Sequence, residues 1–171
     1  VYVAAGIAGL RIIDVGDPSN PVEIGHIITE GEADKVHVQG DYAYIGALRA
    51  GLRIVDVSDP SSPKEVGYID TAGSIKGVYA QDNYVYTTAN GVTVIDVSDP
   101  TAPKKAGNVE THGASWAIDV SGNRAYLADC QRGLFVVDIS DPSAPAILGN
   151  CDTDGHFRGV FSYGQYVAIE D

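Results

Sequence analysis

The chain has 171 residues, 44% of them hydrophobic and 20% charged, with a formal net charge of −12. That composition excludes a disordered chain, and the charge excludes a face built for nucleic-acid phosphates or anionic lipid. No apolar run approaches the ~20 residues of a bilayer-spanning helix. The sequence opens Val1-Tyr2-Val3-Ala4 and closes Tyr166-Val167-Ala168-Ile169-Glu170-Asp171, both strand-like. With no Met and no basic, apolar leader at the start, the ends predict an excerpt or a processed product.

Next along the chain comes a pattern that recurs. Gly9-Leu10-Arg11-Ile12-Ile13-Asp14 returns as Gly51-Leu52-Arg53-Ile54-Val55-Asp56, as Gly91-Val92-Thr93-Val94-Ile95-Asp96 and as Gly133-Leu134-Phe135-Val136-Val137-Asp138. Each copy runs into an Asp-Pro pair: Asp17-Pro18, Asp59-Pro60, Asp99-Pro100 and Asp141-Pro142. A repeat of this length, rich in β-formers and turn signals and without 3.6-residue periodicity, is a small sheet and not a helical unit. In the copy beginning at Asp34 the runs 36–38, 42–46, 52–57 and 65–69 predict four strands, with turns at Gly40-Asp41 and Asp59-Pro60-Ser61-Ser62-Pro63. The expected fold is all-β: about four four-stranded antiparallel blades of a β-propeller over 1–171 as one domain, or an excerpt of a larger propeller.

The third run of each copy is apolar on both alternating faces, as Leu134 and Val136 against Phe135 and Val137 illustrate, which predicts a strand covered on both sides. Tyr42, Tyr44, Tyr84, Tyr86 and Tyr126 on the second run read as packing between blades. At each turn Asp accepts local backbone hydrogen bonds while Pro pre-sets φ. Asp14, Asp56, Asp96 and Asp138 are expected to satisfy backbone donors there. Four copies of an acidic turn invite a metal reading, but presence in every copy is what a structural turn requires.

The four Gly-x-x-(Ile/Val)-(Ile/Val)-Asp segments, each followed by Val/Ile-x-Asp-Pro, resemble the LVIVD repeat. The likeness covers essentially the whole chain. It implies a β-propeller of a kind often exported or displayed at the cell surface, and it implies no activity. The third copy is two residues shorter between Tyr86 and Gly91, which shortens one loop.

Positions that vary between copies are the candidates for function. Thr-x-Gly joins each copy to the next: Thr29-Glu30-Gly31, Thr71-Ala72-Gly73, Thr111-His112-Gly113 and Thr153-Asp154-Gly155. These connections should crowd one face near a central channel and give it an acidic rim of Glu30, Glu32, Asp70, Glu110, Asp152 and Asp154, with His112 and His156. Three residues beyond each Gly stand Asp34, Lys76, Trp116 and Arg158. One reading pairs Asp34 with Lys76 or Arg158 while Trp116 plugs the channel; the other makes this mouth a ligand or peptide site. Asp152-Thr153-Asp154-Gly155 resembles the start of a calcium loop, with Glu110 nearby, but lacks the distal ligands of an EF-hand. No Cys/His spacing supports zinc at His112 and His156.

No Gly-x-Ser-x-Gly elbow, Walker A loop or His-Glu-x-x-His is present. The expectation is therefore a non-catalytic extracellular or cell-surface module that binds protein partners, with a calcium-dependent binder or enzyme at the channel mouth as the alternative. Cys130 and Cys151 share one copy and have no counterparts elsewhere. Their paired occurrence argues for a disulfide; the strand expected between them, about 9.6 Å across two strand spacings, argues against it. Residues 1–4 and 167–170 both align with a second strand. Tyr2, Leu10 and Ile12 at one end, and Phe157, Val160 and Phe161 at the other, are expected to expose apolar surface and to favour pairing with other copies in a larger ring or a filament.

Overall fold

The computed structural model describes residues 1–153 and 155–170. Its first sheet holds β1 (Tyr2–Ala4), β2 (Leu10–Asp14) and β3 (Val22–Ile27). The second holds β4 (Lys35–Gln39), β5 (Tyr42–Gly46), β6 (Leu52–Asp56) and β7 (Lys64–Ile69). The third is β8 (Gly77–Gln81), β9 (Tyr84–Thr88), β10 (Gly91–Asp96) and β11 (Lys104–Glu110). The fourth is β12 (Ser115–Ser121), β13 (Arg124–Asp129), β14 (Gly133–Asp138) and β15 (Ala146–Cys151). A fifth sheet contains β16 (Gly159–Tyr163) and β17 (Tyr166–Glu170). All pairings are antiparallel meanders between sequence neighbours, apart from an isolated bridge between Gly6 and Ala33. The only helical element among the described residues is a 3-10 turn, Leu48–Ala50, in the β5–β6 loop. In the third copy that loop is reduced to Ala89 and Asn90, which is where the missing residues fall.

Local chemistry makes each sheet. The Gly that opens the third strand has positive φ at Gly9, Gly51, Gly91 and Gly133, and a Cβ there would overlap the last carbonyls of the fourth strand. The turn that closes the strand contains two nested carboxylate caps. Asp14, Asp56, Asp96 and Asp138 accept the N–H of Gly16, Ser58, Ser98 and Ser140 at 2.8–2.9 Å. Asp17, Asp59, Asp99 and Asp141 each accept both the N–H and the hydroxyl of the residue two ahead, the hydroxyl at 2.6–2.7 Å. The capping expected of the Asp residues is therefore present in every copy.

Packing runs between sheets. The inner strands β4, β8, β12 and β16 lie against one another in succession, and β1 lies against β4. Three apolar layers fill the gaps: Leu10, Ile12, Ile45 and Val55; then Leu52, Ile54, Val85 and Ile95; then Val92, Val94, Leu127 and Val137. Each such side chain gains roughly 1.5–3 kcal/mol on burial. Tyr44, Tyr86 and Tyr126 are buried in or beside these layers, and burial pushes the Tyr44 and Tyr86 phenols up. The tyrosines pack between sheets as expected.

Glycine sets the closest approach. Gly25, Gly67 and Gly107, in the outermost strands β3, β7 and β11 of the first three sheets, sit where a Cβ would overlap the carbonyl oxygen of Pro60, Pro100 and Pro142. Each sheet thus seats the Asp-Pro turn of the next on its own outer strand.

Two expectations are corrected. Leu134 and Val136 are half-buried, whereas β6 and β10 are covered on both faces. The reason is that β16 and β17 cover β12 and β13, and among the described residues no further strand of the fifth sheet lies over β14. Leu10, Ile12 and Phe157 are buried: the first two face the second sheet, and Phe157 tucks under Gly155. Phe161 is exposed as expected; the other exposed large apolar side chains at the ends are Val1, Val3, Ile7, Val15, Val22, Ile24 and Ile28, and Ile147, Leu148, Tyr163 and Tyr166.

Candidate functional site

Three of the four aligned channel-mouth residues come together. Lys76 directly precedes β8, donating its N–H to Thr88 O at 2.8 Å, and Arg158 directly precedes β16, donating to Glu170 O at 2.8 Å. Trp116 lies on β12 where the register with β13 slips between Ser115 and Ala117. A bulge of this kind re-aims a side chain. Lys76 Nζ stands 4.8 Å and Arg158 Cζ 5.2 Å from the Trp116 ring centroid. Contacts of this sort are worth about 0.5–1 kcal/mol each at a surface. Beside the indole is a pocket of about 170 Å³ lined by Ser74, Lys76, Ala89, Asn90 and Trp116 among others. It shares Ser74 with a wider cavity of about 520 Å³ bounded by Glu30, Glu32 and the Leu48–Ala50 turn. Trp116 is half-buried.

Asp34 does not join them. Its carboxylate lies 4.0 Å from Lys35 Nζ, and its N–H donates to Gly46 O, which anchors it to its own sheet. The expected pairing with Lys76 or Arg158 is replaced by this neighbour contact. Glu30 is held by Arg53, Nη2 to Oε2 at 2.9 Å; Arg53 is itself buried, reaches Glu65 at 3.4 Å and stacks on Tyr68.

Glu110 and His112 face one another at 3.9 Å, both exposed, and Asp152 is exposed. Asp154 lies outside the described residues. Among the described residues no group of three or more His, Cys, Asp and Glu side chains converges as a metal shell would. Cys130 and Cys151 are free thiols. Cys130 follows β13, whereas Cys151 ends β15, opposite Leu134 of the intervening β14. Instead of a disulfide, the Cys130 sulfur approaches His156 Nδ1 at 3.5 Å.

Two features escaped sequence reasoning. Asp129 is fully buried; its carboxylate accepts the hydroxyls of Thr111 at 3.0 Å and Ser115 at 3.4 Å. The signal was present, since Ala47 and Ala89 stand at the aligned positions. In the other copies the corresponding Thr29, Thr71 and Thr153 hydroxyls are buried without a partner, so the Asp129 cluster distinguishes the fourth sheet. The second feature is a column on the inner strands. His37 Nδ1 accepts the N–H of Ala80 at 3.2 Å and its ring stacks on Tyr79 at 4.4 Å, while Asp119 accepts the N–H of Ser162 at 2.6 Å. Side chains of one sheet thereby cap open edge amides of the next. Burial, partly offset by Asp119, lowers the His37 pKa and favours the neutral ring that this acceptor role needs.

Comparison with known proteins agrees with this geometry. The LVIVD repeat family matches residues 1–29, 30–71, 72–111 and 112–153. No curated protein matches. Among solved structures, a computationally designed protein, Ika8, shares 11% identity with a TM-score of 0.75 over 98% of this chain and 50% of its own. A second design, Ika4, gives 12% and 0.69 over 82% and 86%. The WD40 domain of Neurospora crassa Pan2 gives 12% and 0.69 over 98% and 55%. The chain spans about half the length of two of these structures, and the likeness establishes the propeller fold.

Proposed function

From its membership of the LVIVD-repeat family, to which this chain belongs, we propose that the protein is a non-catalytic interaction and structural module. It works outside the cell or on its surface, binds a protein partner and assembles with other copies of itself. A propeller fold supports protein interaction in general. The observation that carries the specific reading is the half-buried Trp116 indole, set at a bulge and flanked by Lys76 and Arg158 beside two pockets that share Ser74. Trp and Arg are the side chains that dominate binding energy at interfaces. Self-assembly is supported by the exposed large apolar side chains, which apart from Tyr68 lie in residues 1–28 and 147–166.

The test has two arms. Surface proteins from producing cells are passed over the immobilised 171-residue chain, over Trp116→Ala and over a control changed on an outer turn. A partner identified by mass spectrometry should be kept by wild type and control and lost by Trp116→Ala. Equal retention by all three would remove the channel mouth from the reading. Labelling intact cells with an impermeant reagent should modify the protein; labelling only after lysis would overturn the surface location.

A further inference from the structure

We propose that the Trp116 site takes a peptide carboxylate: Lys76 and Arg158 bind an acidic group of the partner while the indole packs against the residue beside it. The inference rests on the proposed role of this mouth as a partner site and gives that partner a chemistry.

Two cations on one indole carry the argument. Acidic residues outnumber basic ones in the chain by 23 to 11, and Arg11, Lys35 and Arg53 each have a carboxylate within 4.0 Å. Lys76 has none among the described residues. Asp34, the acid at the aligned position of the neighbouring sheet, stands beside Lys35 instead. The Lys76 ammonium lies 4.8 Å from the Trp116 ring centroid and the Arg158 guanidinium 5.2 Å from the same point. Backbone bonds to Thr88 O and Glu170 O tie both residues to their own sheets, so the fold itself brings the two charges to one ring. Stacking contributes about 0.5–1 kcal/mol per contact. It leaves the three ammonium donors and the guanidinium fork for a further acceptor. Like charges held near one another repel, and an anion between them removes that cost. A carboxylate is the group whose two oxygens match an arginine fork.

The pocket beside the indole favours a chain segment over a free anion. At about 170 Å³ it is below the ~300 Å³ of sites that enclose a whole small molecule. Its lining of Gly73, Ala89 and Ala114 beside Ser74 and Asn90 suits one side chain. It shares Ser74 with the cavity of about 520 Å³ whose wall carries Glu30 and Glu32. Arg53 holds Glu30 at 2.9 Å, whereas Glu32 is exposed. A long acidic tract would meet its own sign of charge there. The segment that fits has a single carboxylate beside an apolar side chain, flanked by uncharged residues.

The experiment uses the 171-residue chain with its only tryptophan, Trp116, as the reporter. The probes are the acetylated, amidated peptide Gly-Ser-Glu-Phe-Ser-Gly, its Gln and Lys counterparts, and the Gln peptide with a free terminal carboxylate. Trp116 emission should respond saturably to a carboxylate peptide, with affinity about tenfold or more above that of the amidated Gln peptide, the worth of one charge-assisted hydrogen bond. That affinity should fall as salt is raised. A stronger response to the Glu peptide assigns the carboxylate to a side chain, and a stronger response to the free-ended Gln peptide assigns it to a chain terminus. Lys76→Gln should lose about tenfold for the carboxylate peptide and nothing for the amidated Gln peptide, with the wild-type circular dichroism spectrum. The net charge of −12 acting alone would make the Lys peptide bind best, and that order overturns the proposal. So does a response to the amidated Gln peptide that neither carboxylate improves, an equal loss for both peptides in Lys76→Gln, or no response at all. A protein partner lost by Trp116→Ala but kept by Lys76→Gln overturns the carboxylate and leaves the partner site standing. A partner kept by Trp116→Ala removes the partner site and the proposal with it.

Discussion

The second and third sheets and the chain's two ends are built from the same repeat, yet the structure treats them differently. In β6 and β10 nearly every side chain is buried, while in β14 burial alternates and in β15 it vanishes. Between residues 30 and 142 the only large hydrophobic side chain that is exposed is Tyr68, which lies under Arg53; all the others belong to residues 1–28 or 147–166. The difference teaches that burial in this fold is a property of the gap between two sheets. A strand's own apolar pattern states what it is able to bury and is silent on whether a neighbour covers it.

The largest effect should come from the glycines. Gly67→Val forces a methyl group against the Pro100 carbonyl and is expected to cost about 3 kcal/mol or more, seen as a lower urea midpoint. Gly149→Val, at the same repeat position, should leave the midpoint of the isolated chain unchanged. An equal loss at both sites would mean that the fourth-strand glycine is needed by its own strand and not by the seated turn.

Next in size is a pair of identical truncations. Val94 and Val136 face the fourth-strand glycine in adjacent sheets, but Val94 is fully buried and Val136 only partly. Val94→Ala should cost ~2 kcal/mol from lost transfer energy and the cavity it leaves, and Val136→Ala less than half of that.

The turn carboxylates should break the comparison, because their bonds are local. The hydroxyls of Ser19, Ser58, Ser61, Thr101 and Ser143 are the leading reason that Asp17, Asp56, Asp59, Asp99 and Asp141 sit below the ordinary carboxylate range; for Asp96 and Asp138 it is the N–H of Ser98 and Ser140. A carboxyl whose folded pKa is depressed stabilises the protein above its unfolded pKa of about 3.9. That contribution is lost as pH falls through the lower folded values. Stability should therefore decline below about pH 4, and Asp17→Asn and Asp59→Asn should flatten that decline to the same small degree although one turn is open and the other seated. A larger change for Asp59→Asn would tie the bond to packing.

The smallest effect concerns the acidic rim. Glu110 and Asp152 are both exposed, and surface carboxylates of this kind hold calcium weakly, so the melting temperature in calcium and in chelator should agree within about one degree by ligand linkage. A clear rise in calcium would restore the metal-dependent alternative.

What the sequence determined by itself is whatever a single repeat contains. The spacing of Gly51-Leu52, Asp56 and Asp59-Pro60 encodes strand, turn and strand because those residues hydrogen-bond and rotate only over short range. The four-strand order, the turn caps and the tyrosines between sheets were legible for that reason. The alignment of Lys76, Trp116 and Arg158 was also legible, because equal positions in successive repeats lie side by side. The tertiary structure alone decided the rest. It left Asp34 beside Lys35 when two cations stood within reach by alignment, set Trp116 at a bulge between Lys76 and Arg158, buried Asp129 under two hydroxyls, and kept Cys130 and Cys151 apart across β14. It also left Gly149 open where three like glycines are filled. Each of these depends on what a neighbouring sheet places within a few ångströms, and a repeat pattern read along one chain contains no term for its neighbour.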